Sequence, residues 1–95
     1  MTTVCKFKFK KEVSHEFLEK QIAYAVLSAE SIFGKAKVRI HSPGYLASDG
    51  KVVINVSSEV GDHIAAVFTG LMNEFVGEEN FTVERIEGVR SNESD

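Results

Sequence analysis

Two segments with a helical period dominate the hydrophobic pattern of the chain. In residues 14–34 apolar side chains recur at spacings of three and four, which is typical of an amphipathic helix. Ser14 stands at the expected N-cap position and Gly34 at the expected stop. The apolar stripe consists of Leu18, Ile22, Ala25, Val26, Ala29 and either Ile32 or Phe33.

A second helix is predicted between an N-cap at Ser57 or Ser58 and a stop at Gly77. Its apolar positions also repeat at helical spacing, so both helices need a sheet to cover one side. The second stripe consists of Val60, Ile64, Val67, Phe68, Leu71, Met72 and Phe75.

Four shorter segments alternate between apolar and polar residues, which predicts half-buried strands. The strands are expected at residues 3–10, 35–41, 51–57 and 81–86, and Ile86 breaks the alternation as a bulge would. In the first strand Thr3, Cys5, Phe7 and Phe9 lie on one side and lysines on the other. Residues 42–50 contain the single proline and end in Asp-Gly, so they are predicted to form a loop.

The resulting order is strand, helix, strand, strand, helix, strand. This order predicts an α+β fold, a ferredoxin-like βαββαβ sandwich with a four-stranded antiparallel sheet in the order 4-1-3-2 and two helices on one face. A chain of 95 residues with 43% hydrophobic content fits one domain. We therefore expect a single domain over residues 1–88 and a disordered tail over residues 89–95.

The charges are distributed unevenly over this predicted fold. A net charge of −3 argues against a protein that coats nucleic acid by bulk charge. Seven of the eleven basic residues nevertheless fall on the predicted open face of the sheet, while the acids fall mainly on helices, loops and the tail. The seven are Lys6, Lys8, Lys10, Lys35, Lys37, Arg39 and Lys51.

Three interpretations of this basic face stay open. In the first, it is a solvated face on which lysines prevent aggregation. In the second, it binds phosphates or an acidic protein. In the third, it is a sheet-to-sheet contact with Val4, Val53 and Ile86 as its apolar residues. Base stacking, as in RNA recognition motifs, is excluded. Because Phe7 and Phe9 alternate with lysines, exposing the rings would bury unpaired ammonium groups.

Candidate chemistry gathers in the predicted loop, where His41, Ser42, Tyr45 and Asp49 bring together an imidazole, hydroxyls and a carboxylate. Ordinary turn chemistry explains the same residues. The three histidines fall at different ends of the predicted fold, so no metal site is expected. No phosphate loop, CxxC, nucleophile elbow or HExxH is present in the sequence, so no cofactor is expected and an enzyme is the less favoured class.

Cys5 is predicted to be a buried free thiol, which fits a reducing cytoplasm, and no apolar run has the length of a membrane span. We therefore expect a non-enzymatic cytoplasmic interaction or oligomerisation module that uses its open sheet face, with a second copy or an acidic protein as partner. Two alternatives remain: a nucleic-acid-associated accessory protein that binds phosphates, and a small enzyme or ligand sensor with its site near residues 41–49.

Overall fold

The computed structural model describes residues 2–40, 45–48 and 50–89 of the chain. These residues form a small α+β fold, as the sequence predicts. A single 3-10 turn at Glu78–Asn80 precedes the last strand. The elements are β1 (Thr2–Phe9), α1 (His15–Phe33), α2 (Lys35–Ile40), β2 (Tyr45–Ser48), β3 (Lys51–Asn55), α3 (Glu59–Phe75) and β4 (Phe81–Val89).

The sheet is antiparallel throughout and is built around β1. Strands β3, β1 and β4 lie side by side, and the four-residue β2 pairs along the outer edge of β3, in the order β2-β3-β1-β4. In the middle of the sheet Phe7 stands opposite Val52 of β3 and Val83 of β4. The central strand therefore has neighbours on both sides, and its two faces meet different surroundings.

The predicted ferredoxin-like sandwich with two helices is wrong, because the described residues contain three α-helices. The segment predicted as the second strand forms α2, in which the Val38 N–H donates to the Gly34 carbonyl at 3.1 Å. Of its apolar side chains only Val38 is buried, and Ile40 is 77% exposed. Most residues of this segment are alanine, lysine or arginine, which are good helix formers. An alternation of six such residues therefore does not distinguish a strand from a short helix.

The edge of the sheet next to β3 is occupied by Tyr45–Ser48, which lies inside the stretch predicted as a loop. This change moves three of the seven basic residues off the sheet and onto α2. The predicted basic face is therefore smaller than the sequence indicates.

Both long helices begin and end where the sequence predicts. The Ser14 hydroxyl accepts a hydrogen bond from the Phe17 N–H at 3.1 Å, and the Ser58 hydroxyl accepts one from the Gly61 N–H at 3.2 Å. Each contact satisfies one of the unpaired N–H groups of a helix N-terminus. Gly34 ends α1 with a φ of 86°, a conformation that favours glycine.

The core lies between one face of the sheet and helices α1 and α3. Phe7 is fully buried, and its ring meets the ring of Phe68 edge to face at 4.9 Å between centroids. Gly61 lies where α3 starts against the end of β3, and a Cβ there would collide with the Asn55 carbonyl. The buried apolar residues include Cys5, Leu18, Ile22, Ala25, Ala29, Val52, Ile54, Val60, Ile64 and Met72.

The end of β4 carries the irregularity that the sequence indicates near Ile86. Val4 stands opposite Ile86 while Thr2 stands opposite Val89, so β4 has one extra residue between these two pairs. Gly88 has a φ of 77°, as expected for a bulge that uses a left-handed residue. Strand β4 thus reaches Val89, and the rest of the predicted tail lies outside the described residues.

Candidate interaction surface

The candidate site is the face of β1, β3 and β4 that lies opposite the core, called the open face below. On β1 the buried Cys5 and Phe7 alternate with Lys6 and Lys8, so the lysines are on the other side of the strand. Among the described residues, no helix packs over this side. The open face carries Val4, Lys6, Lys8, Lys51, Val53, Asn55, Thr82, Glu84 and Ile86, as the pairing register requires.

One end of the open face is basic. Lys8 stands directly opposite Lys51 of β3, and like charges in a cross-strand pair destabilise a sheet. Both side chains are exposed. An anionic group placed between them would relieve this repulsion, so the pair favours binding of a carboxylate or a phosphate.

The centre of the open face is mixed in charge. Lys6 stands between Val53 of β3 and Glu84 of β4. Because Glu84 is directly opposite Lys6, it offsets part of the positive charge at this point. A shallow depression of about 330 Å³ lies between β1 and β4 and is lined by Lys6, Lys8, Thr82, Val83 and Glu84.

The other end of the open face is mainly apolar, with Asn55 of β3 as the polar residue opposite Val4. Val4 stands opposite Ile86, and Val53 is on the neighbouring strand one pair away. All three side chains are only half-buried. Apolar side chains in adjacent positions on an uncovered sheet face are typical of a contact surface rather than of a solvated one.

Three residues predicted for the basic face lie elsewhere, which corrects that prediction. Lys35, Lys37 and Arg39 are on α2, away from the sheet. The Lys37 ammonium contacts the Glu59 carboxylate at 2.6 Å and lies 5.1 Å from the centre of the Phe33 ring. Lys37 thus links α2 to the ends of the two long helices.

Lys10, the seventh predicted residue, lies just beyond the end of β1. Its N–H donates to the Asn80 carbonyl at 2.7 Å, and its side chain is exposed. It therefore extends the basic end of the open face. The structure brings together four of the seven predicted basic residues: Lys6, Lys8, Lys10 and Lys51.

The predicted loop site falls largely outside the described residues. His41, Ser42 and Asp49 are not among them, and Tyr45 is described only as the first residue of β2. The hypothesis of a site at residues 41–49 therefore stays a prediction.

The histidines of the described residues have structural partners. His15 contacts Glu19, four residues further along α1, at 2.9 Å. His63 instead lies across the helix interface, where its Nε2 is 3.0 Å from the Ser28 hydroxyl oxygen and its ring meets Phe33 edge to face. Within the described ranges no three histidine, cysteine or acidic side chains gather where they could hold a metal ion.

Cys5 is a buried free thiol, as predicted. Burial is the largest influence and raises the pKa of Cys5 above its ordinary value of 9.0, although the neighbouring Arg85 lowers it in part. Arg85 also pairs with Asp62 of α3 at 3.2 Å. These influences keep the thiol protonated and unreactive near neutral pH.

Sequence reasoning missed a second apolar surface, on the outer side of α1. Tyr24 is 49% exposed and Leu27 is 57% exposed, although both belong to the longest helix. The two residues are three apart and lie opposite the buried stripe that contains Ile22 and Ala29. The spacing of Tyr24 and Leu27 could have indicated this second surface. It was overlooked because the first apolar stripe already explains why the helix forms.

No match to this chain is found among protein-family models, curated proteins or solved structures. None of the helices in the described ranges has the length and apolar content needed to cross a membrane.

Proposed function

We propose that this protein is an interaction module whose open face binds an acidic, partly apolar segment of another protein. The observation that carries the proposal is the opposed pair Lys8 and Lys51 at one end of the open face, together with the half-buried Val4, Val53 and Ile86 toward its other end. Such a face complements a strand or helix that presents carboxylates at one end and aliphatic side chains at the other.

Self-association through the open face is the less favoured use. Two copies that met face to face with parallel strands would bring Lys6, Lys8 and Lys51 of each copy toward the same three lysines of the other. With reversed strands, Lys8 and Lys51 would be buried against the apolar end of the other copy without gaining a carboxylate. Each copy offers Glu84 alone as a compensating acid on this face. Like charges placed opposite each other oppose association, so a partner with excess carboxylates fits better.

Nucleic acid fits less well than an acidic protein for two reasons. The face carries fewer basic residues than the sequence predicts, because Lys35, Lys37 and Arg39 lie on α2. The apolar end of the face has no counterpart on a phosphate backbone. Binding through so few lysines would be weak and strongly dependent on salt.

Fluorescence anisotropy with a labelled peptide that carries glutamates in one half and leucines in the other tests the proposal. An oligonucleotide with the same negative charge and a lysine-leucine peptide serve as comparison probes. We expect the glutamate-leucine peptide to bind most tightly. The double variant Lys8→Glu/Lys51→Glu should weaken its binding at least about tenfold, because two attractive contacts become repulsive.

The matched control is Lys35→Glu/Arg39→Glu, which makes the same change in net charge at two exposed basic residues on α2. We expect this variant to bind the glutamate-leucine peptide almost as the unchanged protein does. Equal losses in the control and in the double variant would contradict a specific role for the open face. Tighter binding of the oligonucleotide would favour the nucleic-acid alternative instead.

A further inference from the structure

The outer face of α1 is apolar without contributing to the core. The core side of the helix is already supplied by Leu18, Ile22 and Ala25, all of them at most 1% exposed. On the opposite side Tyr24 and Leu27 project about half or more of their surface from the protein. Two large apolar side chains one helical turn apart are therefore not explained by the fold.

The surroundings of these two residues combine small, polar and charged groups. Ala23 is exposed beside them and is small enough to allow close approach of a second helix. Lys20 lies one turn toward the start of the helix, and Glu30 and Ser31 lie one turn toward its end. The surface thus has an apolar middle, with Lys20 and the exposed Glu16 toward the start of the helix and Glu30 as an acidic border toward its end.

We infer that α1 is a docking surface for a second copy of this chain. An antiparallel arrangement about a twofold axis near residues 25 and 26 brings Tyr24 of each copy beside Leu27 of the other. It also brings Lys20 of each copy beside the turn that carries Glu30 of the other. In a twofold contact of this kind both copies use the same surface, so each contact occurs twice.

The charges select the antiparallel arrangement over the parallel one. A parallel pair would place Lys20 beside Lys20 and Glu30 beside Glu30, and like charges side by side oppose association. The aligned dipoles of two parallel helices would also oppose it. The contact surface of one helix pair is small, so the dimer is reversible and depends on protein concentration.

This dimer leaves both open faces free, because α1 lies on the opposite side of the sheet. The inference does not depend on what the open face binds. If the open face does bind acidic segments, the dimer presents two such surfaces that point away from each other. A partner with two acidic segments would then bind with increased avidity.

Sedimentation velocity of the full chain over a wide concentration range tests the inference. We expect a concentration-dependent dimer, and we expect Leu27→Glu to raise its dissociation constant at least tenfold. Leu27 is exposed, so this variant should keep its fold, as far-ultraviolet circular dichroism will show. A monomer at every concentration overturns the inference, and so does a dimer that Leu27→Glu leaves unchanged.

A charge exchange tests the antiparallel geometry. Lys20→Glu should weaken the dimer, and Lys20→Glu/Glu30→Lys should restore it because the pairs are re-formed with opposite signs. Failure of the double variant to recover contradicts this geometry. The control is Val53→Glu on the open face, which should leave the dimer intact. Loss of the dimer in Val53→Glu, with the dimer kept in Leu27→Glu, would place the interface on the sheet and overturn the inference.

Discussion

The two faces of β1 differ in burial and in charge. On the covered face Phe7 is fully buried and packs edge to face against Phe68. On the open face Lys8 is exposed and stands opposite another lysine. The covered face is arranged for stability, whereas the open face keeps an unfavourable charge pair that stability alone does not explain.

The largest expected difference between the faces is the loss of stability when a side chain is shortened to alanine. Phe7→Ala should lower the free energy of unfolding by about 3–5 kcal/mol, because it removes a buried ring and leaves a cavity. Lys8→Ala on the same strand should change it by less than about 0.5 kcal/mol. Urea denaturation measures both. Similar losses in the two variants would contradict the assignment of covered and open faces.

The contact between α3 and the end of β3 gives the next largest effect. Gly61→Ala should cost about 1–3 kcal/mol, because the added methyl group collides with the Asn55 carbonyl and the helix must shift. Gly70→Ala is the matched control on the same helix, where an added Cβ meets nothing within 4 Å. It should stabilise the protein by about 0.5–1 kcal/mol through helix propensity. Thermal unfolding of both variants checks whether their effects have opposite signs.

A smaller effect of the opposite sign is expected on the open face. Lys8→Glu replaces repulsion by attraction opposite Lys51, so it should raise the free energy of unfolding by about 0.2–1 kcal/mol. The same change should weaken binding of the glutamate-leucine peptide. A variant that is more stable but binds less well would show that the lysine pair is kept for contact. If stability falls instead, the two ammonium groups are not close enough to repel each other.

The smallest expected effect concerns the Cys5 thiol on the covered face. Its pKa in the folded protein is raised by burial, so the unfolded chain loses the proton first as pH rises. The stability that the protonated thiol contributes is complete below the unfolded pKa and is lost as pH increases from there through the folded pKa. Unfolding free energies of the unchanged protein and of Cys5→Ala should therefore converge above about pH 9. Parallel curves would contradict the raised pKa.

Long regular patterns in this chain were predictable, and short ones were not. Helix α1 repeats its apolar stripe over five turns between Ser14 and Gly34, so its bounds agree with the prediction. Leu18, Ile22, Ala25 and Ala29 of the predicted stripe are buried, whereas Val26 is half-buried and Ile32 is exposed. Residues 35–40 offered six residues of alternation, which a short helix satisfies as well as a strand does. Packing decided between them, through Val38 in the core and the ion pair between Lys37 and Glu59.

The same limit applies to the candidate surfaces. The positions of the β1 lysines were predictable because side chains alternate along a strand. When Phe7 is buried, its neighbours Lys6 and Lys8 must lie on the other face. The residues that β3 and β4 place on the open face, such as Lys51, Val53 and Ile86, were predictable by the same alternation. Which residues stand opposite one another depends on the register, which no local pattern specifies. Tyr24 and Leu27 were missed because the predicted apolar stripe already explains why α1 forms, so the apolar residues outside that stripe were not considered as a surface.

The most direct test of the proposed function is the map of backbone amide shifts by nuclear magnetic resonance as the glutamate-leucine peptide is added. We expect the largest shift changes on the open face, at Val4, Lys6, Val53 and Ile86. These shift changes should be absent in Lys8→Glu/Lys51→Glu. Changes concentrated on α2, or on the outer side of α1, would contradict the proposed function.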